Sequence, residues 1–126
     1  MVTRFDRAGP ASGPAVTGFS GRGFKVDGKV FAGGIQLTPL AAAPWTPPPL
    51  AALEIKHVFM LLELYPQPEF LLLGTGASLI RPPPSFTAAV EVRGIGLEAM
   101  DSRAAARAWA VLRAEDRWIA GALMPL

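Results

Sequence analysis

The sequence has no cysteine, one histidine and one tyrosine, and its charges nearly cancel. Without cysteine, disulfides, Cys-ligated zinc and thiol catalysis are excluded. Twelve basic and ten acidic residues give a net charge of +2. That charge is too small to predict a nucleic-acid-binding surface, so we expect no nucleic-acid partner.

The chain also lacks a long hydrophobic run. Its longest apolar stretch, Val58–Leu64, contains Glu63 and falls far short of the roughly 20 residues that a transmembrane helix needs. The amino terminus has no apolar segment typical of a secretory signal, and a cysteine-free chain suits a reducing compartment. We therefore expect a cytoplasmic protein without a transmembrane segment.

What is present is enough apolar sequence to build a core. About half of the 126 residues are apolar and 17% are charged, and this length suits one domain. Residues 1–16 are rich in Gly, Pro, Ala and Ser and have no periodicity. We predict that they form a disordered, dispensable tail ahead of a single domain over residues 17–126.

The most informative stretch is Phe70–Leu73, which is followed by Gly74-Thr75-Gly76. A short unbroken apolar run closed by glycines predicts a strand buried on both faces. We interpret it as the central strand of a small α/β domain. The glycine loop then lies at its carboxyl end, where open α/β sheets tend to bind ligands.

The amino-terminal half predicts β-structure. Phe24–Val26 and Lys29–Phe31 alternate in polarity on either side of Asp27-Gly28, a pair typical of a hairpin with a type I′ turn. Gly33-Gly34 predicts a bulge or sharp bend before the strand resumes at Ile35–Leu37.

The middle of the chain predicts a connector and a helix. Residues 41–49 carry four prolines and predict an extended connector. We expect Trp45 to fold back onto the body of the protein, because exposing a tryptophan is costly. The apolar spacing over Leu50–Leu64 predicts an amphipathic helix on one sheet face, ended by the Tyr65–Pro68 segment.

The remaining sequence predicts alternating helices and strands. We expect a helix over Ser85–Val92, a strand over Leu97–Met100, a helix over residues 102–114 and a last strand over Arg117–Leu123. A strand–helix–strand crossover makes Phe70–Leu73 parallel to the strand at Leu97–Met100. The direction of the last strand stays open.

Cofactor motifs are incomplete. Gly74-x-Gly76 lacks the third glycine of a dinucleotide fingerprint, because Leu79 stands there, and Pro82–Pro84 separates the loop from the next helix. Pyrophosphate binding needs a helix directly behind the glycines. His57 has no second histidine or cysteine to share a zinc ion with, although Glu54 lies three residues before it. We therefore predict no cofactor, no metal and no catalytic residues.

Polar residues follow two neighbouring strands. Asp101-Ser102 comes after Leu97–Met100 and should lie beside Gly74-Thr75-Gly76. The two residues can cap the next helix, or they can line a shallow cleft with Thr75 and Ser78. The candidate surface cleft is thus Gly74, Thr75, Gly76, Ser78, Asp101 and Ser102. Two arginines on one side of that helix, Arg103 and Arg107, either form a solvated face or hold an anionic partner.

Four segments between Gly18 and Leu123 resemble one family: GFSGRGFKVDGKVFAGGIQLTP, PEFLLLGTG, RGIGLEAM and DSRAAARAWAVLRAEDRWIAGAL. This family is the Mth-type domains of unknown function, and the most specific features are LLLGTG and the D-S/T-R-A-A opening of the last helix. The resemblance implies a single three-layer α/β domain. It has a mixed central β-sheet, helices on both faces and an added N-terminal β-hairpin.

The resemblance also bears on function. Members include a mitochondrial assembly factor for respiratory complex I and an adipogenesis-associated animal protein, and no accepted catalytic set can be carried over. Members often have Thr, Cys and Asn in the last helix, where this chain has Ser102, Ala106 and Ala110. Any polar role of that Cys or Asn is absent here.

Two functions stay open at this point. The first is a non-enzymatic interaction protein, an assembly factor for a respiratory or other multi-subunit complex, with a protein partner. The second is a small-molecule-binding protein or enzyme that uses the Gly74–Gly76 and Asp101–Ser102 loops. Homo-oligomerisation is compatible with both.

Overall fold

The computed structural model describes residues 13–126 of the chain. In these residues the strands and helices are, in chain order, β1 (Val16–Ser20), β2 (Gly23–Val26), β3 (Lys29–Phe31), β4 (Gly34–Leu37), β5 (Ala42–Trp45), α1 (Phe59–Leu62), β6 (Phe70–Gly74), α2 (Pro84–Glu91), β7 (Gly96–Met100), α3 (Ser102–Ala114) and β8 (Ala120–Leu123).

The larger sheet is mixed, with strand order β5-β4-β8-β6-β7. β6 pairs in parallel with both β7 and β8, whereas β4 is antiparallel to β5 and β8. The predicted parallel pairing is confirmed, and the last strand is parallel to β6. Two predictions were wrong. β8 starts at Ala120 rather than Arg117, and the middle strand is β8 rather than the Phe70–Leu73 strand.

The apolar run in β6 is buried as predicted. Leu71, Leu72 and Leu73 have no exposed surface, because successive strand residues point to opposite sheet faces and both faces are covered. Leu71 and Leu73 pack into a core with α1 and α2. Leu72 packs into a second core with β2 and α3. This arrangement confirms the three-layer α/β fold with a mixed sheet and helices on both faces.

The predicted hairpin is β2 and β3, and Asp27 and Gly28 have φ values of +50° and +83°, as a type I′ turn requires. β1 pairs antiparallel with β2 and completes a three-stranded sheet. The sharp bend predicted at Gly33-Gly34 carries the chain from this small sheet into β4 of the larger sheet.

The predicted tail over residues 1–16 overlaps the described residues only at Gly13–Val16. Residues 1–12 lie outside the described residues. Gly13–Ala15 lead into β1, which starts at Val16. The Pro14 carbonyl accepts a 3.1 Å hydrogen bond from the Trp109 indole, and the Ala15 amide faces the Asp27 carboxylate at 3.3 Å. These partners are distant in sequence, so composition could not predict them.

The connector prediction for residues 41–49 was wrong over Ala42–Trp45. This segment forms β5, which pairs with β4 at the edge of the sheet. A proline is tolerated in an edge strand because its missing N–H can face outward. Trp45 does fold back as predicted. It is 6% exposed, and its indole donates to the His57 carbonyl at 2.9 Å.

The amphipathic helix predicted over Leu50–Leu64 is also wrong. The segment contains two short 3-10 turns, at Leu50–Ala52 and Ile55–His57, and then α1. Leu53 and Glu54 adopt extended conformations between these turns and interrupt a continuous helix. The apolar side chains, among them Leu53, Val58, Leu61 and Leu62, still enter one core, so the pattern indicated the buried face correctly.

Candidate functional site

The glycine loop lies where β6 ends, beside the start of α3 and the end of β8. A side chain at Gly74 would place its Cβ 2.7 Å from the Ser102 Oγ and 2.9 Å from the Ser102 Cα. Real Cβ atoms do not approach other atoms so closely, so only glycine fits. Gly76 has a φ of +102°, which favours glycine. The glycines therefore serve close packing and a turn.

Ser102 is the polar residue that joins these three elements. It is fully buried, and its Oγ donates to the Met124 carbonyl at 2.7 Å and accepts from the Gly76 amide at 2.9 Å. The Ser102 amide also donates to the Gly76 carbonyl at 2.8 Å. Both functions of the hydroxyl are satisfied within the chain, so none is directed at a ligand.

Thr75 organises the loop that follows β6. Only 5% of it is exposed, and its Oγ1 donates to the Ser78 carbonyl at 2.7 Å and accepts from the Ile80 amide at 3.1 Å. The Thr75 amide donates to the Met100 carbonyl of β7 at 2.9 Å. Ser78 is exposed and contributes its backbone carbonyl to this network.

Asp101 is the N-cap of α3. Its carboxylate accepts a 2.9 Å hydrogen bond from the Ala104 amide, which satisfies one of the free N–H groups of the first helical turn. The structure thus brings Asp101 and Ser102 beside Gly74, Thr75 and Gly76, as the sequence predicted. The polar atoms stabilise the loop and the helix start.

An open groove of about 560 Å³ lies against this cluster, and we call it the carboxyl-end groove. Of the predicted cleft residues, only Thr75 and Gly76 line it. The other lining residues come from distant parts of the chain, and most are apolar or proline: Arg22, Gly33, Gly34, Trp45, Thr46, Pro47, Pro48, Pro49, Leu50, Ile80, Met124 and Pro125.

The sequence did not predict most of the residues that line this groove. Pro47–Pro49 and Trp45 stood out in the sequence only as a connector, and nothing local brings Met124 and Pro125 next to Thr75. The missing information was the position of β8, which places residues 124 and 125 beside the glycine loop through the Met124 amide and the Gly74 carbonyl, 3.0 Å apart.

Ile80 lines the groove, and we call the exposed segment Leu79–Arg81 that contains it the rim. Leu79 and Ile80 are 63% and 53% exposed, and the next residue, Arg81, is exposed as well. Arg22 lies on the lining, where its Nε donates to the Leu126 carbonyl at 2.8 Å. None of the described lining residues is acidic.

His57 has a structural role. Its Nδ1 accepts from the Glu54 amide at 2.9 Å, and the Glu54 side chain accepts from the His57 amide, which together form a capping box. The described residues that line the groove include no histidine. Among residues 13–126, no three His, Asp or Glu side chains come together in a way that could hold a metal ion.

The opposite, amino-terminal end of β6 holds an ion pair. Arg117 contacts the Glu69 carboxylate at 2.7 Å, and the Trp118 amide lies 3.3 Å from the same carboxylate. The Arg117 hydrogen bond lowers the pKa of Glu69, and the bond to Glu69 raises the pKa of Arg117.

Within residues 13–126, no helix has the length and apolar character required to cross a bilayer.

Comparison with known proteins places this architecture in a family. A protein-family model described as "Protein of unknown function (DUF498/DUF598)" matches residues 16–124. The chain is 30% identical over 115 residues to NADH dehydrogenase [ubiquinone] 1 alpha subcomplex assembly factor 3 of Danio rerio, covering 91% of this chain and 66% of the relative. An uncharacterised protein of Rhodobacter capsulatus is 33% identical over 111 residues, with 88% of this chain and 84% of the relative covered.

Solved structures agree. A protein from Bordetella parapertussis is 30% identical with a TM-score of 0.82 and covers 91% of this chain and 98% of its own. A Mth938-like domain from Bordetella pertussis is 27% identical with a TM-score of 0.75, at 89% and 85% coverage. The family model extends from the first residue of β1 to just beyond the end of β8, so the chain belongs to the DUF498/DUF598 family, whose function is unknown.

Proposed function

We propose that this chain is a non-enzymatic interaction protein that serves as an assembly factor for a respiratory complex of the NADH dehydrogenase type. The sequence support is its similarity to the Danio rerio assembly factor, which extends over 91% of this chain. The chain spans about two thirds of that relative's length, so the proposal assigns the assembly role to the shared domain.

The observation that carries the proposal is that the buried hydroxyls beside the carboxyl-end groove bond to groups of the chain itself. A catalytic site needs polar side chains that converge on a substrate. Here the hydroxyls of Thr75 and Ser102 are buried and bonded to the chain's own carbonyl and amide groups. The exposed side chains at the rim, Leu79 and Ile80, are apolar, as is typical of protein-contact surfaces.

The test is complementation of a strain that lacks this protein. We expect that strain to lose assembled NADH dehydrogenase, measured by native gel electrophoresis and by NADH oxidation in membranes. The wild-type gene should restore both. A Leu79→Glu/Ile80→Glu variant should restore neither, because two carboxylates would have to be desolvated when a partner covers the rim.

Val111→Glu is the matched control, since Val111 is 58% exposed on α3, away from the groove lining. This variant should complement like the wild type. Normal enzyme assembly in the null strain would contradict the assembly role. Normal assembly with the Leu79→Glu/Ile80→Glu variant would contradict the use of the groove while leaving the assembly role standing.

A second candidate function is small-molecule binding, because about 560 Å³ is within the size range of ligand pockets. It is tested by a thermal-shift and calorimetric screen against nucleotides, flavins and divalent metals. We expect no saturable shift. A shift that Gly76→Val abolishes, in a variant that circular dichroism shows to be folded, would favour the pocket over the interaction surface.

A further inference from the structure

The two edges of the larger sheet differ in the hydrogen-bonding groups that they present. At one edge, the Thr38 amide donates to the Ala41 carbonyl at 2.9 Å, and the antiparallel register pairs Gln36 with Ala43 and Ile35 with Pro44. Hydrogen-bonded pairs alternate along such a ladder. The backbone groups of Ala42 and Pro44 therefore face outward, and Pro44 has no N–H to offer. Proline blunts this edge.

The other edge, β7, has no proline. The Gly96 amide bonds the Glu69 carbonyl, and the Thr75 amide bonds the Met100 carbonyl. In a parallel ladder, alternate residues direct both backbone groups to the same neighbour. Gly96, Glu98 and Met100 thus bond β6, and the N–H and C=O of Leu97 and Ala99 point away from the sheet.

β7 is an edge strand of the larger sheet, and no further strand among the described residues pairs with these outward groups. All five residues of β7 are exposed or half-buried, whereas all four residues of β8 are buried. A row of free backbone donors and acceptors on an ordered strand is a template for another strand. The side chains that flank this row decide which strand can be added.

Glu98 is the charged side chain on this edge, and it is exposed. It lies between Leu97 and Ala99. In an added antiparallel strand, the residue opposite Glu98 forms a non-hydrogen-bonded pair, in which the two side chains come closest. An opposite charge at that position stabilises pairing and a like charge opposes it. Leu97 packs against the apolar core beneath α1 and α2, so its opposite neighbour fits best if apolar.

Glu98 also disfavours a second copy of this chain. A symmetric antiparallel pair that uses both Leu97 and Ala99 of each copy places the two Glu98 carboxylates opposite each other. A register shifted to separate the two carboxylates pairs only one of these two residues in each copy, either Leu97 or Ala99, with a residue of β7 in the other copy. The like-charge contact therefore opposes the register with the most hydrogen bonds.

We infer that the free edge of β7 accepts an extended segment of a partner protein as an added antiparallel strand, with Lys or Arg opposite Glu98 and apolar residues opposite Leu97 and Ala99. This inference concerns β7 alone and does not depend on the assembly role or on the carboxyl-end groove. Main-chain hydrogen bonds would supply affinity, and the charge at Glu98 would supply selectivity.

The experiment uses the isotope-labelled full chain and a synthetic peptide, acetyl-Thr-Val-Lys-Val-Thr-amide, at millimolar concentrations. Amide correlation spectra should show saturable shifts at Leu97 and Ala99 and none at Ala42 on the blunted edge. A peptide with Glu in place of Lys should bind about two- to tenfold more weakly, the range for exchanging an attractive cross-strand pair for a repulsive one.

Charge reversal sharpens the test. Glu98→Lys should reverse the preference between the two peptides, whereas Glu91→Lys, the same change at an exposed residue of α2, should leave it unaltered. Absence of shifts at Leu97 and Ala99, equal binding of both peptides, or shifts centred on Ala42 would each overturn the inference. So would a wild-type dimer, detected by sedimentation, that Ala99→Pro converts to monomer.

Discussion

The two ends of β6 show two different uses of polar residues. At the carboxyl end, Ser102 has no exposed surface and Thr75 has 5%, and their hydroxyls bond neighbouring backbone groups. At the amino end, Arg117 and Glu69 form an ion pair whose side chains are 40% and 45% exposed. The hydroxyls at the carboxyl end are shielded from water, and the ion pair at the amino end is partly open to it.

This difference predicts that the uncharged hydrogen bonds at the carboxyl end stabilise the fold more than the ion pair at the amino end does. A buried hydroxyl that bonds two backbone groups cannot be removed without leaving buried polar groups unsatisfied, which costs about 1–3 kcal/mol. Water replaces the partners of an exposed ion pair at little cost. We therefore expect the carboxyl end to dominate stability, and each prediction below tests this ranking.

We expect the largest loss of stability from a substitution in the core between the two ends of β6. Leu72→Ala should destabilise the protein by about 2–5 kcal/mol, the range for removing a large side chain from a packed core. Leu72 has no exposed surface and contacts the core shared with α3. Denaturant unfolding followed by circular dichroism gives the free energy of unfolding. An unchanged midpoint would contradict the burial of β6 on both faces.

At the carboxyl end, Ser102→Ala should cost about 1–3 kcal/mol, because the Met124 carbonyl and the Gly76 amide lose their partner. Ser78→Ala is the matched control. Ser78 is exposed and contributes its carbonyl rather than its hydroxyl to the loop, so we expect a change within about 0.5 kcal/mol. Equal effects of the two substitutions would remove the distinction between a closed and an open end.

The helix cap gives a smaller effect at the same end. Asp101→Ala should destabilise by about 0.5–2 kcal/mol because the Ala104 amide loses its acceptor, whereas Asp101→Asn should retain most of the stability. The comparison of the two variants separates capping from charge. A large loss in Asp101→Asn would mean that the negative charge, rather than the hydrogen bond, stabilises the start of α3.

Much of this carboxyl end could be predicted because its signals are local. Asp101 precedes a regular helical pattern, and α3 spans the predicted residues 102–114. The run Phe70–Leu73 followed by glycines indicated β6 and its loop. The Asp27-Gly28 pair indicated the hairpin, since the turn type depends on those two residues alone.

The remainder depends on contacts between residues far apart in sequence. β5 forms because Ala42–Trp45 pairs with β4. The predicted helix over residues 50–64 is interrupted at Leu53 and Glu54, and the Trp45 indole bonds the His57 carbonyl of this segment. The carboxyl-end groove joins residues near 22, 46, 76 and 125. No periodicity within one segment contains that information, so the polar loop was predicted and most of the apolar groove beside it was not.

The smallest expected effect is at the amino end. The hydrogen bond from Arg117 lowers the pKa of Glu69 below its ordinary value of 4.5. The folded state therefore favours the charged carboxylate, and this contribution is complete above the unfolded-state pKa and is lost as the pH falls through the folded-state pKa. Glu69→Gln should shift the denaturant midpoint slightly at neutral pH, and the gap from wild type should close under acidic conditions and in high salt. Midpoints measured over a pH series at two salt concentrations check this expectation. A gap larger than that of Ser102→Ala, or one that persists in acid, would show that the exposed end stabilises the fold as strongly as the buried one.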